Sequence, residues 1–467
     1  MDAQSAASGQ LQLPIGVAYN ATDGARTARF ATWQHGAEGG IVHAQHSQTW
    51  SVHMFEIGDH DVGAGAFNFT RGGQQGGRNW CTCKQCYPSY VAAPPPPPPP
   101  PPSHRRFSLP YSSNSSPFFS RRYAGRGLMD WCGQHKASRL LSRRAQTPGS
   151  LPRISTLVPT QDPPDNNDTR LVSGLWFVEN ILDELDSPTE YYLDSADSRL
   201  YLWPNATEMG VAPLVMSRLE TLVEMRGSQA EPVANVTVSN LRFRDSAPTY
   251  MSDWSPPSGG DWSLHRGGAL FLEGVTNVTV SECVFHRLDG NALFLSRFAR
   301  NVTVERSDFA WIGESAVASW GETAGYDATG GEQPRGTLLQ HNVMRELGIF
   351  QKQSSGWGQA KTATSTVRGN IMFNLPRAAI NFNDMMGGGN LVEGNLIFNT
   401  CRESGDHGPI NSWDRMPFLT RLRDGSTPSF DPLPTTIERN FIFGNYGAGQ
   451  GVARIFQLKR ISVISHR

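Results

Sequence analysis

Short runs in which apolar and polar residues alternate recur along the second half of the chain. Seven segments align: VTVSNLRF (from residue 236), VTVSECVF (278), VTVERSDF (302), TLLQHNVM (337), STVRGNIM (365), NLVEGNLI (390) and TTIERNFI (435). Alternation of period two, broken by a turn and then resumed, is the grammar of strands. Successive segments start 42, 24, 35, 28, 25 and 45 residues apart, so the shortest unit has 24 residues. A strand–turn–strand unit of that size cannot bury its own apolar face. Stacked units can, which predicts a solenoid. The sixth positions, Leu241, Cys283, Ser307, Asn342, Asn370, Asn395 and Asn440, then lie above one another at a turn. Asparagine tolerates the left-handed conformation, and stacked amides hydrogen-bond from rung to rung. The Leu-x-x-Leu-x-Leu pattern of leucine-rich repeats is absent. The expected fold class is all-β: a right-handed parallel β-helix (solenoid), with an N-terminal β-rich region and a disordered Pro-rich insertion.

A second strand recurs in each coil, as GALFLE (from Gly268), NALFLS (Asn291), SAVASW (Ser315), AAINFN (Ala378) and GPINSW (Gly408). The residue after it is Gly274, Arg297, Gly321, Asp384 and Asp414 in turn, with Lys361 near the same place one coil before Asp384. Asp384 and Asp414 thus fall at equivalent positions of adjacent coils, and Asp406 sits in the turn before the last strand. Adjacent rungs of a parallel sheet lie about 4.8 Å apart, so one of two such carboxylates should keep its proton to a raised pH. A paired acid and base suits cleavage of a glycosidic bond; separations of roughly 5–5.5 Å go with retention and of about 6.5–9.5 Å with inversion. Asp384, Asp406 and Asp414 are the candidate catalytic residues. Trp320, Trp357 and Trp413 are candidates for stacking on sugar rings, and Asn381, Asn383 and Asn411 for bonding hydroxyls. Gln359, Lys361, Arg377, His407 and Arg415 complete the candidate substrate-binding set, with Arg402 nearby. Asp and Asn are also common in β-helix turns because they cap backbone groups, so one acid alone would be unremarkable.

Composition refines this picture. In 467 residues, glycine (47) and proline (32) are abundant and charged residues make up 18%, a balance that leans towards an all-β chain with many turns. No run of 18 apolar residues suggests a membrane span. The start, MDAQSAASGQLQLPIG, lacks the basic and apolar regions of a signal peptide. Against this, Asn-x-Ser/Thr sequons at Asn20, Asn68, Asn114, Asn167, Asn205, Asn235, Asn277 and Asn301 point to a secreted, extracellular protein, although NVTV also has a structural use in the repeat. Residues 94–102 are consecutive prolines, and 103–153 hold ten Lys/Arg against the single acid Asp130. The rest of the chain has a net charge of −10, which argues against a nucleic-acid partner. CTCKQC, from Cys81 to Cys86, has no second ligand pair at zinc-site spacing, so no metal is expected. Cys283 reads as a buried thiol, and GGG at 387–389 as a tight turn. The expected organisation is an N-terminal β-rich region (1–86), a disordered Pro-rich and basic insertion (87–170), a β-rich lead-in (171–234), the β-helix (235–452) and an atypical tail (453–467).

The stretch WFVENILDELDSPTEYYLDSADSRLYLWPNAT (176–207) resembles the passage that precedes the coils in right-handed parallel β-helix, pectin-lyase-like glycoside hydrolases of the α-L-fucosidase and xylanase type. LRFRDSAPTYM, GGDWSLHRGGALFLEGVTNVTVSECVFHRLDGNALFLS and RESGDHGPINSWDR further resemble uncharacterised β-helix proteins. The resemblance covers about 30–80 and 171–450. It implies a paired-carboxylate hydrolase acting on the face that holds Asp384, Asp406 and Asp414. Residues 81–170 interrupt what is a short join in similar chains. ARIFQLKRISVISHR replaces a further acidic coil, which is expected to leave the solenoid without its cap.

Two other functions stay open. A polysaccharide lyase would use Lys361, Arg377, Arg402 or Arg415 as base or carboxylate clamp, with Asp384 and Asp406 on Ca²⁺. A non-catalytic carbohydrate-binding β-helix would use Trp and Asn along the same groove. The expected partner is a polysaccharide or glycan, with no nucleic acid and no membrane, for a monomeric protein. No cofactor is expected, apart from Ca²⁺ in the lyase reading.

Overall fold

The structure is a computed structural model. It describes residues 16–19, 28–46, 52–76, 171–205, 214–255, 257, 262–324, 328–383, 387–405, 407–413, 434–446 and 456–459. The CTCKQC stretch, the proline run and the basic segment that follows lie outside the described residues.

Three parallel sheets carry the second half of the chain. In the first, seven strands pair in sequence order from Thr237–Ser239 to Thr436–Glu438. In the second, another seven run from Arg242–Arg244 to Phe441–Asn445. The third, longer sheet begins with Val223–Arg226 and continues through Leu270–Thr276, Leu293–Arg300, Val317–Trp320, Trp357–Ala360, Ile380–Asn383 and Ile410–Trp413. Each pass of the chain visits the long sheet, then the first, then the second, and returns one rung further on. That strand order is compatible with a β-helix solenoid. Phe456–Lys459, within the segment read as an atypical tail, pairs in parallel with Ile410–Trp413 and adds a strand to the long sheet.

Each of the seven repeated segments spans one strand of the first sheet, a corner, and one strand of the second. The register puts Val238, Val280, Val304, Leu339, Val367, Val392 and Ile437 in one inward column. Phe243, Phe285 and Phe309 stack in the next, with ring centroids 4.7 and 4.6 Å apart. Burying these columns is the main gain that stacking offers over an isolated unit.

The corner differs from its expected geometry in one respect. The left-handed residue is the fifth of each segment: Asn240, Glu282, Arg306, His341, Gly369, Gly394 and Arg439 all have φ between 48° and 64°. The asparagines that follow keep negative φ and use their side chains to bridge rungs. Asn370 Oδ1 accepts both the backbone N–H and the Nδ2–H of Asn342, each at 3.0 Å, and Asn395 Oδ1 does the same for Asn370. Asn440 continues the ladder to Asn395 at 2.9 and 2.8 Å. Further up, Ser307 N–H donates to Asn342 Oδ1 and Cys283 N–H to Ser307 Oγ. The ladder meets the bonding needs of the tight corner, and the residue before each rung supplies the left-handed turn.

The N-terminal segment forms a separate antiparallel sheet ordered Gly16–Ala18, Ala66–Gly72, Val52–Asp61, Ile41–His46 and Leu171–Glu179. The strands before and after the Pro-rich stretch therefore share one sheet. A short 3₁₀ turn, Gln74–Gly76, leads from it onto the solenoid. No helix among the described residues is long and apolar enough to cross a membrane.

Candidate functional site

Alternation in the long sheet sends Leu270, Leu293, Val317, Trp357, Ile380 and Ile410 inward. Two columns face outward. The first reads Phe271, Phe294, Ala318, Gly358, Asn381, Asn411, and the second contains Glu273, Ser296, Trp320 and Ala360, followed by Asn383. The outward face is itself covered. A hairpin of Trp254–Ser255 and Leu264–His265 folds over it, and Trp262 and Leu264 pack on Phe271, Phe294, Ala318, Trp320 and Ala360. Down the first column the side chains shrink from phenylalanine to alanine to glycine and then become amides. A Cβ placed on Gly358 would meet no atom within 4 Å. The result is a hollow in an otherwise packed face, lined by Trp254, Trp262, Glu314, Ser355, Gly358 and Asn381.

Glu314 is the residue that the sequence pattern did not reveal. It lies in a tight bend before Val317–Trp320, where Gly313 packs so closely that a Cβ would come 2.3 Å from Asp289 O. The side chain is buried, Thr249 Oγ1 donates to its Oε1, the Asn291 side chain lies close enough to favour its charged form, and its Oε2 makes no well-formed hydrogen bond. Burial, with a smaller contribution from Glu220, pushes its pKa up to about 8. The carboxyl is therefore mainly neutral at pH 7 and able to donate a hydrogen bond.

The sequence-predicted residues separate into two groups at opposite ends of the strands. Before the strands, Arg377 Nη2 lies 2.9 Å from His407 Nε2, and His407 Nδ1 is 2.7 Å from Ser404 Oγ. An arginine can only donate, so this bond leaves the imidazole proton on Nδ1, facing Ser404. Within the strands, Asn411 Nδ2 donates to Asn381 Oδ1 at 2.8 Å, joining two outward amides on adjacent coils. Beyond the strands, the Arg266 guanidinium lies 3.9 Å from the Trp320 ring centroid and donates to Ser296 Oγ and Trp320 O, each at 2.9 Å. Arg266 thus covers the face that Trp320 would offer to a sugar. Lys361 is buried beside this pair, and desolvation brings its pKa down to about 8 despite Glu322. A four-residue strand spans roughly 13 Å, so Lys361 and the Arg377–His407 pair do not converge.

Two of the expected contacts point elsewhere. Trp357 faces the core, fully buried, and donates from Nε1 to Gln359 Oε1 at 2.9 Å. Gln359 also points inward, its Nε2 bonded to Thr362 O at 3.1 Å. Neither side chain reaches the outward face. Asn383 pairs in register with Trp413, as the alignment requires of the residues just before the two aspartates. Among the described residues at the position after this strand motif, Gly274 and Arg297 are left-handed, with φ of 62° and 48°, as is Lys361 at 48°, whereas Gly321 is not. Asp384, Asp406, Asp414 and Arg415 themselves lie outside the described residues. Among the described residues, no group of three His, Cys, Asp or Glu is placed to hold a metal ion.

No protein-family model and no curated protein matches the chain. Among solved structures, one titled "Glycoside hydrolase" aligns with a TM-score of 0.56 at 12% identity, covering 94% of this chain and 66% of that one. A second, "The complex structure of XylC with xylose", aligns at 0.33 and 11% identity over 51% of this chain and 43% of that one. At this identity the first likeness speaks for the fold, and the chain spans about two thirds of that structure's length.

Proposed function

We propose that the chain is a carbohydrate-active, right-handed parallel β-helix protein that hydrolyses glycosidic bonds. Asp384, Asp406 and Asp414 would supply the acid and base on the outward face of the long sheet. The observation that carries this reading is the change along the outward column from Phe271 and Phe294 to Asn381 and Asn411. A structural column could have stayed apolar. Here it becomes two hydrogen-bonded amides on adjacent coils, the side-chain type that pairs with sugar hydroxyls. The fold shared with a structure titled as a glycoside hydrolase supports the same reading.

Hydrolysis of an aryl-glycoside panel (fucoside, xyloside, galactoside) tests it. Wild type should release phenol, and Asp384→Asn or Asp406→Asn should lower the rate at least a hundredfold while leaving the circular dichroism unchanged. Release by wild type and both variants alike would remove these acids from the mechanism. A second reading, a lyase, is favoured by Lys361, which is partly neutral near its pKa of about 8 and so can act as a base. Its sign would be an absorbance rise from unsaturated product on a polyuronate, lost in Lys361→Met.

A further inference from the structure

Three residues that line the hollow beneath the paired strands Trp254–Ser255 and Leu264–His265 each hold a buried polar atom without a hydrogen-bond partner: Glu314 Oε2, Trp262 Nε1 and Ser355 Oγ. Nine in ten or more such atoms in folded proteins are bonded to protein or to ordered water, so three in the lining of one hollow point to an oxygen, of a water or of a ligand group that displaces it, bonded there. Their chemistry narrows the class. Trp262 Nε1–H can only donate, which disfavours a cation, and an adjoining carboxyl disfavours an anion. A neutral carboxylic acid, a hydroxyl and an indole N–H suit one neutral oxygen that both donates and accepts. The floor is bare, because Ala318 and Gly358 replace the phenylalanines of the preceding coils. The enclosed part has room for about one hydroxyl-sized group.

We infer that this hollow is a recognition site for one hydroxyl or hydroxymethyl group of a neutral saccharide, with Glu314 donating to the sugar oxygen and Trp262 and Ser355 completing its bonding. The inference rests on the carbohydrate-active reading above and adds to it a specificity pocket outside the aspartates. A site that hydrogen-bonds a hydroxyl discriminates strongly against the deoxy analogue, since the analogue leaves the buried groups unbonded.

The test is titration calorimetry of the full chain with neutral xylo-, gluco-, galacto- and fuco-oligosaccharides, on wild type, Glu314→Gln, Glu314→Leu and Gly358→Ala. The alanine variant is the decisive one, because its methyl group enters open space and does not disturb the fold. Wild type should bind at least one of these glycans. Glu314→Gln, which still donates, should bind within a few-fold of it, and Glu314→Leu and Gly358→Ala at least tenfold more weakly. Equal binding by Gly358→Ala and wild type, or binding of none of these glycans, would overturn the inference. Aryl-glycoside hydrolysis unaffected by Gly358→Ala would keep the hydrolase and discard the pocket. Binding lost in Gly358→Ala, from a protein that hydrolyses none of the panel, would do the reverse.

Discussion

Glu314 shows how one buried side chain can couple stability to pH. Its folded pKa of about 8 stands above the ordinary 4.5. Between these values the native state holds a proton that the unfolded chain has released, so stability falls as pH rises through this window. Below 4.5 the carboxyl carries its proton in both states and no penalty applies. The loss is on the order of a few kcal/mol above pH 8, at about 1.4 kcal/mol for each tenfold change in proton affinity. Glu314→Gln keeps the shape without the charge. Denaturant titrations at pH 4.5 and pH 8 should show the variant close to wild type at the lower pH and more stable at the higher. An equal difference at both values would mean that Glu314 does not carry this proton.

At the scale of the element, the corner ladder has the largest consequence for the fold. Asn370 is buried, accepts two N–H groups of Asn342, and donates to Leu339 O at 2.9 Å and to Asn395 Oδ1 at 3.0 Å. Asn370→Ala strands the Asn342 amide and the Leu339 carbonyl inside the corner, an expected loss of about 2–4 kcal/mol. Asn440, with fewer buried neighbours, should lose less on the same change, and urea titration of both variants checks the ranking. Three of the eight sequons, at Asn235, Asn277 and Asn301, belong to a second ladder. Asn277 Nδ2 donates to Asn235 Oδ1 and Asn301 Nδ2 to Asn277 Oδ1, both at 3.2 Å, and all three residues are exposed and left-handed. Their recurrence in NVTV therefore has a structural cause independent of glycosylation.

At the scale of the whole molecule, the antiparallel N-terminal sheet braces the hairpin that covers the candidate site. Gln75 is fully buried; its side chain donates to Tyr250 O and accepts from Met54 N–H at 3.2 Å, and its backbone carbonyl accepts from Gln351 Nε2 at 3.0 Å. Gln74 Nε2 donates to Ser252 O at 3.2 Å, and Ser263 Oγ to Gln74 O. Gln75→Ala leaves two backbone groups unpaired, at a cost of about 2–4 kcal/mol. Hydrogen exchange should speed up at 250–255 and 262–264 while the inward valines of the first sheet stay protected. Uniform acceleration along the solenoid would show that the brace is not local.

The solenoid was legible because its cause is local. A pleated strand alternates its faces every residue, and a unit of 24 residues that cannot bury its own apolar face must stack, so seven aligned segments imply parallel sheets. The asparagine column was legible for the same reason, although its left-handed partner, the residue just before it, was not: Glu282, Arg306, His341 and Arg439 bear no sign of the conformation they adopt. The site was readable only in part. The alignment placed Asn383 beside Trp413 and the two outward amides on adjacent coils, since register follows from alternation. It did not place Trp357 and Gln359 inside, because an irregular coil shifts which residue begins a strand. The hollow draws on Thr249, Trp262, Glu314, Ser355, Gly358 and Asn381. These residues meet only when coils of unequal length stack and a hairpin folds back over them, which no spacing along the chain encodes.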